Sequence, residues 1–444
     1  MFGDLMRRSA WLALGAATGR LLPLVVLVVA SRQLESRAFA SASAGFAWAG
    51  VAMCLTGSGL ATVMTQRLGS YASQADRAAI FSRHARPALA LSVVLALLLL
   101  LFGERFGSQL FGTALDSRVV VPAALSGAMW SLVAMVVSAL NGCHRARAAS
   151  ILLAVCGLLQ GAGMAGGLLS GADAAGMVWG LAAGSASAAL LAQMFLRHAL
   201  GMSGALALWR RAPGLIERVP LMRSAVLWNS LAAASVLPIS FMAGSLVARA
   251  GDDGTRELAQ YFALEQVHQA LVYAPAIVGT ALLPMFARHF GNRSGGAQTA
   301  ALMRRVARLS MGAALVGVSL AAALMFDADW FVRALGNPAL QTQDVWAVRW
   351  MTLNAGLALS LSLLGGMLLG AGRIVLASSL NLVYGAIFLV LTAALSDYGN
   401  QGLQLSRLLA SMALGGVAVF ALLELARRAM RTDLQTPISS TTSS

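Results

Sequence analysis

Residues 11–30 read WLALGAATGRLLPLVVLVVA, a run broken only by one charge, Arg20, and one proline, Pro23. A helix needs about 20 predominantly apolar residues to cross the hydrocarbon core of a bilayer, so this stretch is long enough to span one. Stretches of the same kind recur at 38–66, 87–103, 117–141, 149–170, 174–196, 223–248, 257–287, 306–326, 345–370, 374–396 and 403–425. Hydrophobic residues make up 58% of the 444 and charged residues 11%, where a soluble domain carries about 25% charge. The pattern predicts an all-α polytopic membrane protein of about twelve transmembrane helices.

All 32 basic residues are arginine, which we read as a mark of base composition rather than of mechanism. Their placement alternates. Arg7 and Arg8 precede the first stretch, and further arginines follow stretches two (Arg67, Arg77, Arg83, Arg86), four (Arg145, Arg147), six, eight, ten (Arg373) and twelve. The other side holds nine, including Arg32, Arg249, Arg349 and Arg407, mixed with most of the acids. Basic residues near spanning helices stay in the cytoplasm. Both termini are therefore expected there, with an even number of crossings. The net charge of +15 is explained by topology, and no nucleic-acid partner is implied. The first stretch follows Arg7 and Arg8 as a signal peptide would, but it is long and carries Arg20, so it reads as an uncleaved helix. Cys54, Cys143 and Cys156 have no disulfide or metal spacing and read as inert small residues. No cofactor is implied.

The longest loop follows stretch six and divides the chain into a lobe at 1–196, a cytoplasmic linker at 197–222, a second lobe at 223–431 and a disordered polar tail at 432–444. The linker holds Pro213, Pro220 and an apolar patch, Ala205 to Trp209, suited to lie along the headgroups. The halves resemble each other. Leu140-Asn141-Gly142-Cys143-His144-Arg145 with Ala149-Ser150 ends stretch four, and Leu368-Leu369-Gly370-Ala371-Gly372-Arg373 with Ala377-Ser378 ends stretch ten. Met64 to Arg67 against Met285 to Arg288 is a weaker pair. Six helices per half give two lobes in the same orientation, related by a pseudo-two-fold axis along the membrane normal, an architecture of transporters that rock around a central site.

Arg20 sits about 14 Å from either end of its helix at 1.5 Å per residue. A charge there costs at least about 2.5–3.5 kcal/mol on insertion scales, so Arg20 faces a cavity or a partner. Two readings stand: an anion-binding group suited to phosphate, or a structural pair. Glu265 is the one acid well inside a spanning stretch. Tyr261, Glu265, His268 and Gln269 share one helix face, with Pro275, Gly279 and Pro284 beyond as kink points. Glu265 with His268 is a candidate for the coupling ion, against an interfacial polar patch. Asn229, Ser235, Ser240, Asn354, Asn381 and Tyr384 are cavity candidates, against interhelical glue. The glycines from Gly161 to Gly167 read as close helix packing, since no strand precedes them for a nucleotide loop. No Walker or zinc-hydrolase motif appears, no loop is large enough for a catalytic domain, and the chain is not expected to be an enzyme.

In order along the chain, Gly19-Arg20-Leu21-Leu22-Pro23 through Ala30-Ser31-Arg32-Gln33-Leu34, Leu264 through Pro275 with Leu283-Pro284-Met285-Phe286-Ala287-Arg288, and Leu380-Asn381-Leu382 with Gly399-Asn400-Gln401-Gly402-Leu403 resemble the opening, eighth and eleventh-to-twelfth helices of the bacterial polysaccharide flippases of the multidrug/oligosaccharidyl-lipid/polysaccharide exporter superfamily. One departure is Ala40 after Phe39, where that family usually has Gly. The resemblance implies an oligosaccharide on a polyprenyl pyrophosphate as substrate, turned from the inner to the outer leaflet of the bacterial inner membrane by alternating access. It implies export of surface polysaccharide, as lipopolysaccharide or exopolysaccharide, with membrane lipids and a glycan polymerase or other assembly proteins as partners. Arg20 would then meet the pyrophosphate with Asn229, Asn354, Asn381 and Tyr384, and Arg67, Arg145, Arg288 and Arg373 would gather the anionic head, against plain topology. Rival readings are a cation-coupled multidrug exporter of the same superfamily, disfavoured by few acids in the first half, and a major facilitator, which lacks its loop motif here. A membrane glycan polymerase or ligase lacks its outer loops, and a scaffold has no need of Arg20.

Overall fold

The computed structural model describes residues 2–58, 61, 64, 65, 68, 73–111, 117–171, 173–201, 228, 230–232, 237–250, 254–291, 296–325 and 345–435. Among these, twelve long helices follow the predicted stretches in order: α1 (Phe2–Gln33), α2 (Ser36–Met53, running on through a π turn at Cys54–Ser58), α3 (Gln74–Phe111), α4 (Ser117–Gly142), α5 (Ala146–Gly171), α6 (Ala174–Leu200), α7 (Leu237–Ala250), α8 (Gly254–Gly291), α9 (Gly296–Met325), α10 (Val345–Gly370), α11 (Ile374–Ala394) and α12 (Gly399–Gln435). No strand occurs among the described residues. Ten of the helices are long and apolar enough to cross a membrane. The exterior is apolar as lipid requires: Leu97, Leu98, Leu100 and Leu101 on α3, Leu315 and Val316 on α9 and Val390 on α11 are exposed.

Two helices run on past the ends the sequence reading gave the lobes at 196 and 431. The Asp173 carboxylate caps α6 by accepting from the Gly176 N–H at 2.6 Å, and α6 runs to Leu200 before Gly201 closes it in the left-handed region at φ 69°. α12 continues to Gln435. The apolar patch at 205–209, with Pro213 and Pro220, lies outside the described residues.

Without a hydrophobic force between helices in lipid, small residues that admit close approach decide packing. α1 crosses α5 where Gly19 meets Gly157, and α5 crosses α6 where Gly163 meets Gly180 and Gly167 meets Gly176; a Cβ at any of these would run into the opposing backbone. Gly317 of α9 and Gly356 of α10 repeat the device in the second half. The expectation for the 161–167 stretch is thus met, and the glycine crossing holds α1, which carries Arg20, close against α5.

The repeat is visible bond for bond. After α4, the Cys143, His144, Arg145 and Ala149 amides donate to the carbonyls of Ala139, Asn141, Leu140 and Arg145 at 2.8–3.0 Å. After α10, Ala371, Gly372, Arg373 and Ala377 donate to Met367, Leu369, Leu368 and Arg373 over the same range. Both ends are Schellman caps, whose turning residue takes a left-handed conformation. That residue is His144 at φ 60° in the first half and Gly372 at φ 72° in the second.

Three apolar clusters show how the lobes meet. One draws on both halves of the chain, with Leu27, Phe39, Val178, Leu258, Phe262, Met351 and Leu403 in the helix halves away from the arginine-rich side. The other two stay within one lobe each: Leu12, Phe81, Met135, Leu152 and Leu196 in the first, and Phe286, Met303, Leu364, Leu380 and Leu422 in the second. The lobes therefore share a core at the ends away from the arginine-rich side and part toward that side.

Candidate functional site

The parting encloses a cavity of about 780 Å³, lined by α1, α2, α4 and α5 from the first lobe and α8, α10, α11 and α12 from the second. It runs from Pro23, Phe46, Trp130 and Tyr384 at its roof to Leu12, Asn141 and Leu369 near the arginine-rich ends of their helices. Asn141 and Leu369 occupy equivalent positions of the two caps. Four of the predicted site residues, Arg20, Asn354, Asn381 and Tyr384, line this one space. Asn229 lies outside the described residues, as does Ser235.

Among the described residues lining the cavity, Arg20 is the one that carries a charge. The rest of the polar lining is neutral: Thr65, Ser138, Asn141, Gln160, Ser362 and Ser411 join the predicted amides and phenol. Two oxygens of this lining, Asn141 Oδ1 and Asn354 Oδ1, and the indole N–H of Trp130 are buried without a protein hydrogen-bond partner. Sequence reading did not select Asn141, Gln160 or Trp130. The amide of Gln160 inside the apolar run of α5 was the available signal.

The face predicted on α8 forms, and it points inward. The Tyr261 hydroxyl donates to the Ser240 carbonyl at 2.7 Å, and Asn354 Nδ2 lies 2.8 Å from His268 Nε2. Gln269 Nε2 donates to Glu265 Oε1 at 3.1 Å. Glu265 Oε2 meets Arg407 NH2 at 2.6 Å. Arg407 corrects the sequence reading, which counted it among the outer-side arginines. It is 1% exposed, the largest fully buried side chain among the described residues. Beside Glu265 it has the Phe388 ring 5.3 Å away. Arg20 is therefore not alone among arginines that topology leaves unexplained. A charge pair in the bilayer interior is tolerated because each ion neutralises the other.

A second, smaller cavity of about 30 Å³ adjoins the first. Its lining includes Arg20, Glu265, Gln266 and Gln269, so Arg20 stands on the boundary of both. The peripheral arginines do structural work: Arg145 donates to the His198 carbonyl at 3.2 Å, at the C-terminal end of α6, where a cation is favoured, and Arg147 lies over the Trp11 ring. Arg67 and the side chain of Arg288 lie outside the described residues. Cys143, at the cap after α4, is buried, which pushes its thiol pKa up, in keeping with an inert residue.

A family model described as polysaccharide biosynthesis protein matches residues 5–290. Among solved structures, a multidrug resistance MATE family transporter of the MOP superfamily in its outward-facing conformation is similar with a TM-score of 0.70 at 13% identity, covering 97% of this chain and 96% of that one. An inward-facing conformation gives 0.69 at 13% identity, covering 93% and 96%. A MOP superfamily transporter from Pyrococcus furiosus gives 0.68 at 13% identity, covering 98% and 96%. These likenesses show the two-lobed fold. No curated protein matches the chain.

Proposed function

The chain belongs to the polysaccharide biosynthesis protein family, and on that premise we propose that it is a flippase that turns a polyprenyl-pyrophosphate-linked oligosaccharide across the bacterial inner membrane. The single observation that carries this reading is the charge of the cavity: Arg20 is its one charged residue among the described lining. A guanidinium in a low-dielectric cavity attracts an anion and hydrogen-bonds phosphate oxygens through its fork. The amides and hydroxyls around it suit sugar hydroxyls.

In this mechanism the cavity, which extends toward the arginine-rich ends of its helices, opens on that side and takes the pyrophosphate against Arg20. Asn354, Asn381 and Tyr384 contact the head group, and Asn229 is assigned the same role. The lobes then part at the shared outer core and close at the arginine-rich side. Coupling runs through Glu265 and His268, which join the cavity through Asn354 and the small cavity beside Arg20. The product leaves for a glycan polymerase or another assembly protein that builds surface polysaccharide.

A cation-coupled multidrug exporter needs a carboxylate facing its cargo. Among the described residues that line the main cavity there is no carboxylate, which argues against that alternative. In cells whose surface glycan depends on this chain, Arg20→Ala abolishes export while the protein remains in the membrane. Normal export by that variant contradicts the reading, and drug resistance without a glycan defect on overexpression favours the multidrug exporter.

A further inference from the structure

A line of polar side chains runs through the second lobe from the outer end of α8 to the cavity. On α8, Glu257, Tyr261, Glu265 and Gln269 recur every four residues; on α12, Asn400, Gln404, Arg407 and Ser411 recur every three or four. Each set shares one helix face, and the two faces meet. Asn400 Nδ2 donates to Glu257 Oε2 at 3.0 Å and lies 3.3 Å from Gln260 Oε1. Arg407 NH1 donates to Gln404 Oε1 at 3.4 Å, and NH2 pairs with Glu265. Glu265 and Gln269 border the small cavity, whose opposite side is Arg20 and hence the main cavity.

The line has one gap, between Asn400 and Gln404, and both of its edges are orphaned. Asn400 Oδ1 and Gln404 Nε2 are buried without a partner. Neither amide gains from being flipped, because Glu257 offers Asn400 only acceptors and Arg407 offers Gln404 only donors. The gap thus presents one free acceptor and one free donor a single helical turn apart, the complement of a water molecule. Buried polar atoms left without a partner are costly, so such groups recruit water. The small cavity, at about 30 Å³, also exceeds the space of about 10–15 Å³ that one water needs, and Arg20, Glu265, Gln266 and Gln269 in its wall offer a water polar partners.

We propose that this seam is hydrated and conducts protons between the outer end of α8 and the inter-lobe cavity, with Glu265 as the relay. A hydronium entering from the outer end of α8 hands its proton along the waters of the seam, and the last of these gives it to the Glu265 carboxylate and is left as water. The protonated carboxyl loosens from Arg407 and passes the proton to water in the small cavity, and the carboxylate pairs with Arg407 again. Only O–H bonds form and break, and one proton enters for each that leaves. The charged and titratable groups around Glu265 are Tyr261 and His268 on α8, Arg407 on α12, Tyr384 on α11 and Arg20 on α1; the described residues of α2 and α7 bordering the small cavity carry none. The proposal rests on the coupling role given to Glu265 above and not on the nature of the cargo.

Because the cavity at the far end of the seam reaches Leu12, Asn141 and Leu369 near the opposite ends of their helices, the proposed route spans the membrane and leaks protons without cargo. The test places the full chain in phosphatidylethanolamine–phosphatidylglycerol liposomes enclosing pyranine. The membrane potential is held by valinomycin and potassium, and an acid step is applied outside. The expected result is acidification of the lumen several-fold faster than in empty liposomes. Gln404→Met, Asn400→Leu and Glu265→Gln return the rate to that of empty liposomes, Gln404→Glu keeps it, and Ser187→Ala on the exposed side of α6 leaves it unchanged. Wild-type protein no faster than empty liposomes overturns the proposal, and so does either seam variant, monodisperse after purification, running at the wild-type rate. A glycan defect plays no part in this readout, so the flippase reading and the seam fail separately.

Discussion

Arg407 of α12 and Glu265 of α8, 142 residues apart in the chain, meet at 2.6 Å in the interior of the second lobe. Removing one partner of a buried pair strands the other charge, at a cost of about 3–5 kcal/mol. Arg407→Ala and Glu265→Ala should each lower the thermal unfolding temperature in detergent substantially. The double variant Glu265→Leu with Arg407→Met should recover most of the loss. Single variants that unfold at the parent temperature contradict the pairing.

The chain carries its own control for a strained cap. His144 and Gly372 hold the same position in the two Schellman turns, and only the second is glycine. A side chain in the left-handed region costs about 1–2 kcal/mol for most residues. His144→Gly should therefore raise thermal stability by about 1 kcal/mol, and Gly372→His should lower it by a similar amount. Unfolding midpoints of the two variants against wild type check the sign of each effect.

In the core that the lobes share, Trp48 of α2 and Phe241 of α7 face each other with ring centroids 4.9 Å apart, and Phe262 of α8 lies 6.3 Å from Phe241. These rings belong to the core that the lobes share, which must open if the lobes rock. Cysteines at 48 and 241, joined by a short bifunctional thiol reagent in a background lacking the native cysteines, should stop glycan export. Cleaving the linker should restore it. Export that continues with the cross-link fully formed contradicts rocking about this contact.

Glycine at 157 is required by geometry and glycine at 166 is not. A Cβ on Gly157 meets the Gly19 backbone next to Arg20, whereas one on Gly166 has no heavy atom within 4 Å. Gly157→Ala should reduce the yield of monodisperse protein, and its surviving fraction should export poorly because α1 is pushed off α5. Gly166→Ala should behave as wild type. Equal yields from the two contradict the crossing.

The sequence made the spans, the repeat and much of the site legible for separate physical reasons. Apolar length is a local signal, so the twelve stretches match twelve helices. The Leu-x-Gly-x-x-Arg ends of stretches four and ten are short-range hydrogen-bond motifs and reappear as matching caps. Four-residue spacing placed Tyr261, Glu265 and Gln269 on one face, and a charge in mid-membrane singled out Arg20. Arg407 was misread because it stands one turn inside the twelfth stretch, where a loop arginine and a buried one look alike; only the apposition of α8 and α12 tells them apart. Asn141 was hidden for a related reason, since the residue at its place in the second cap is Leu369, and their shared position on the cavity wall depends on how the lobes lean together. The expected lobe boundaries and Asn229 fall partly or wholly on residues outside the described set.

The measurement that bears most directly on the account is the affinity of purified protein for a polyprenyl pyrophosphate in lipid nanodiscs, wild type against Arg20→Ala and Arg20→Lys. A charge-assisted hydrogen bond to phosphate is worth about 1.5–3 kcal/mol, so Arg20→Ala should weaken binding by roughly 10- to 100-fold. Arg20→Lys should fall between the two, because it keeps the charge and loses the fork. Equal affinity for the wild type and Arg20→Ala, both monodisperse, would contradict the claim that the cavity's one described cation receives an anionic lipid head group.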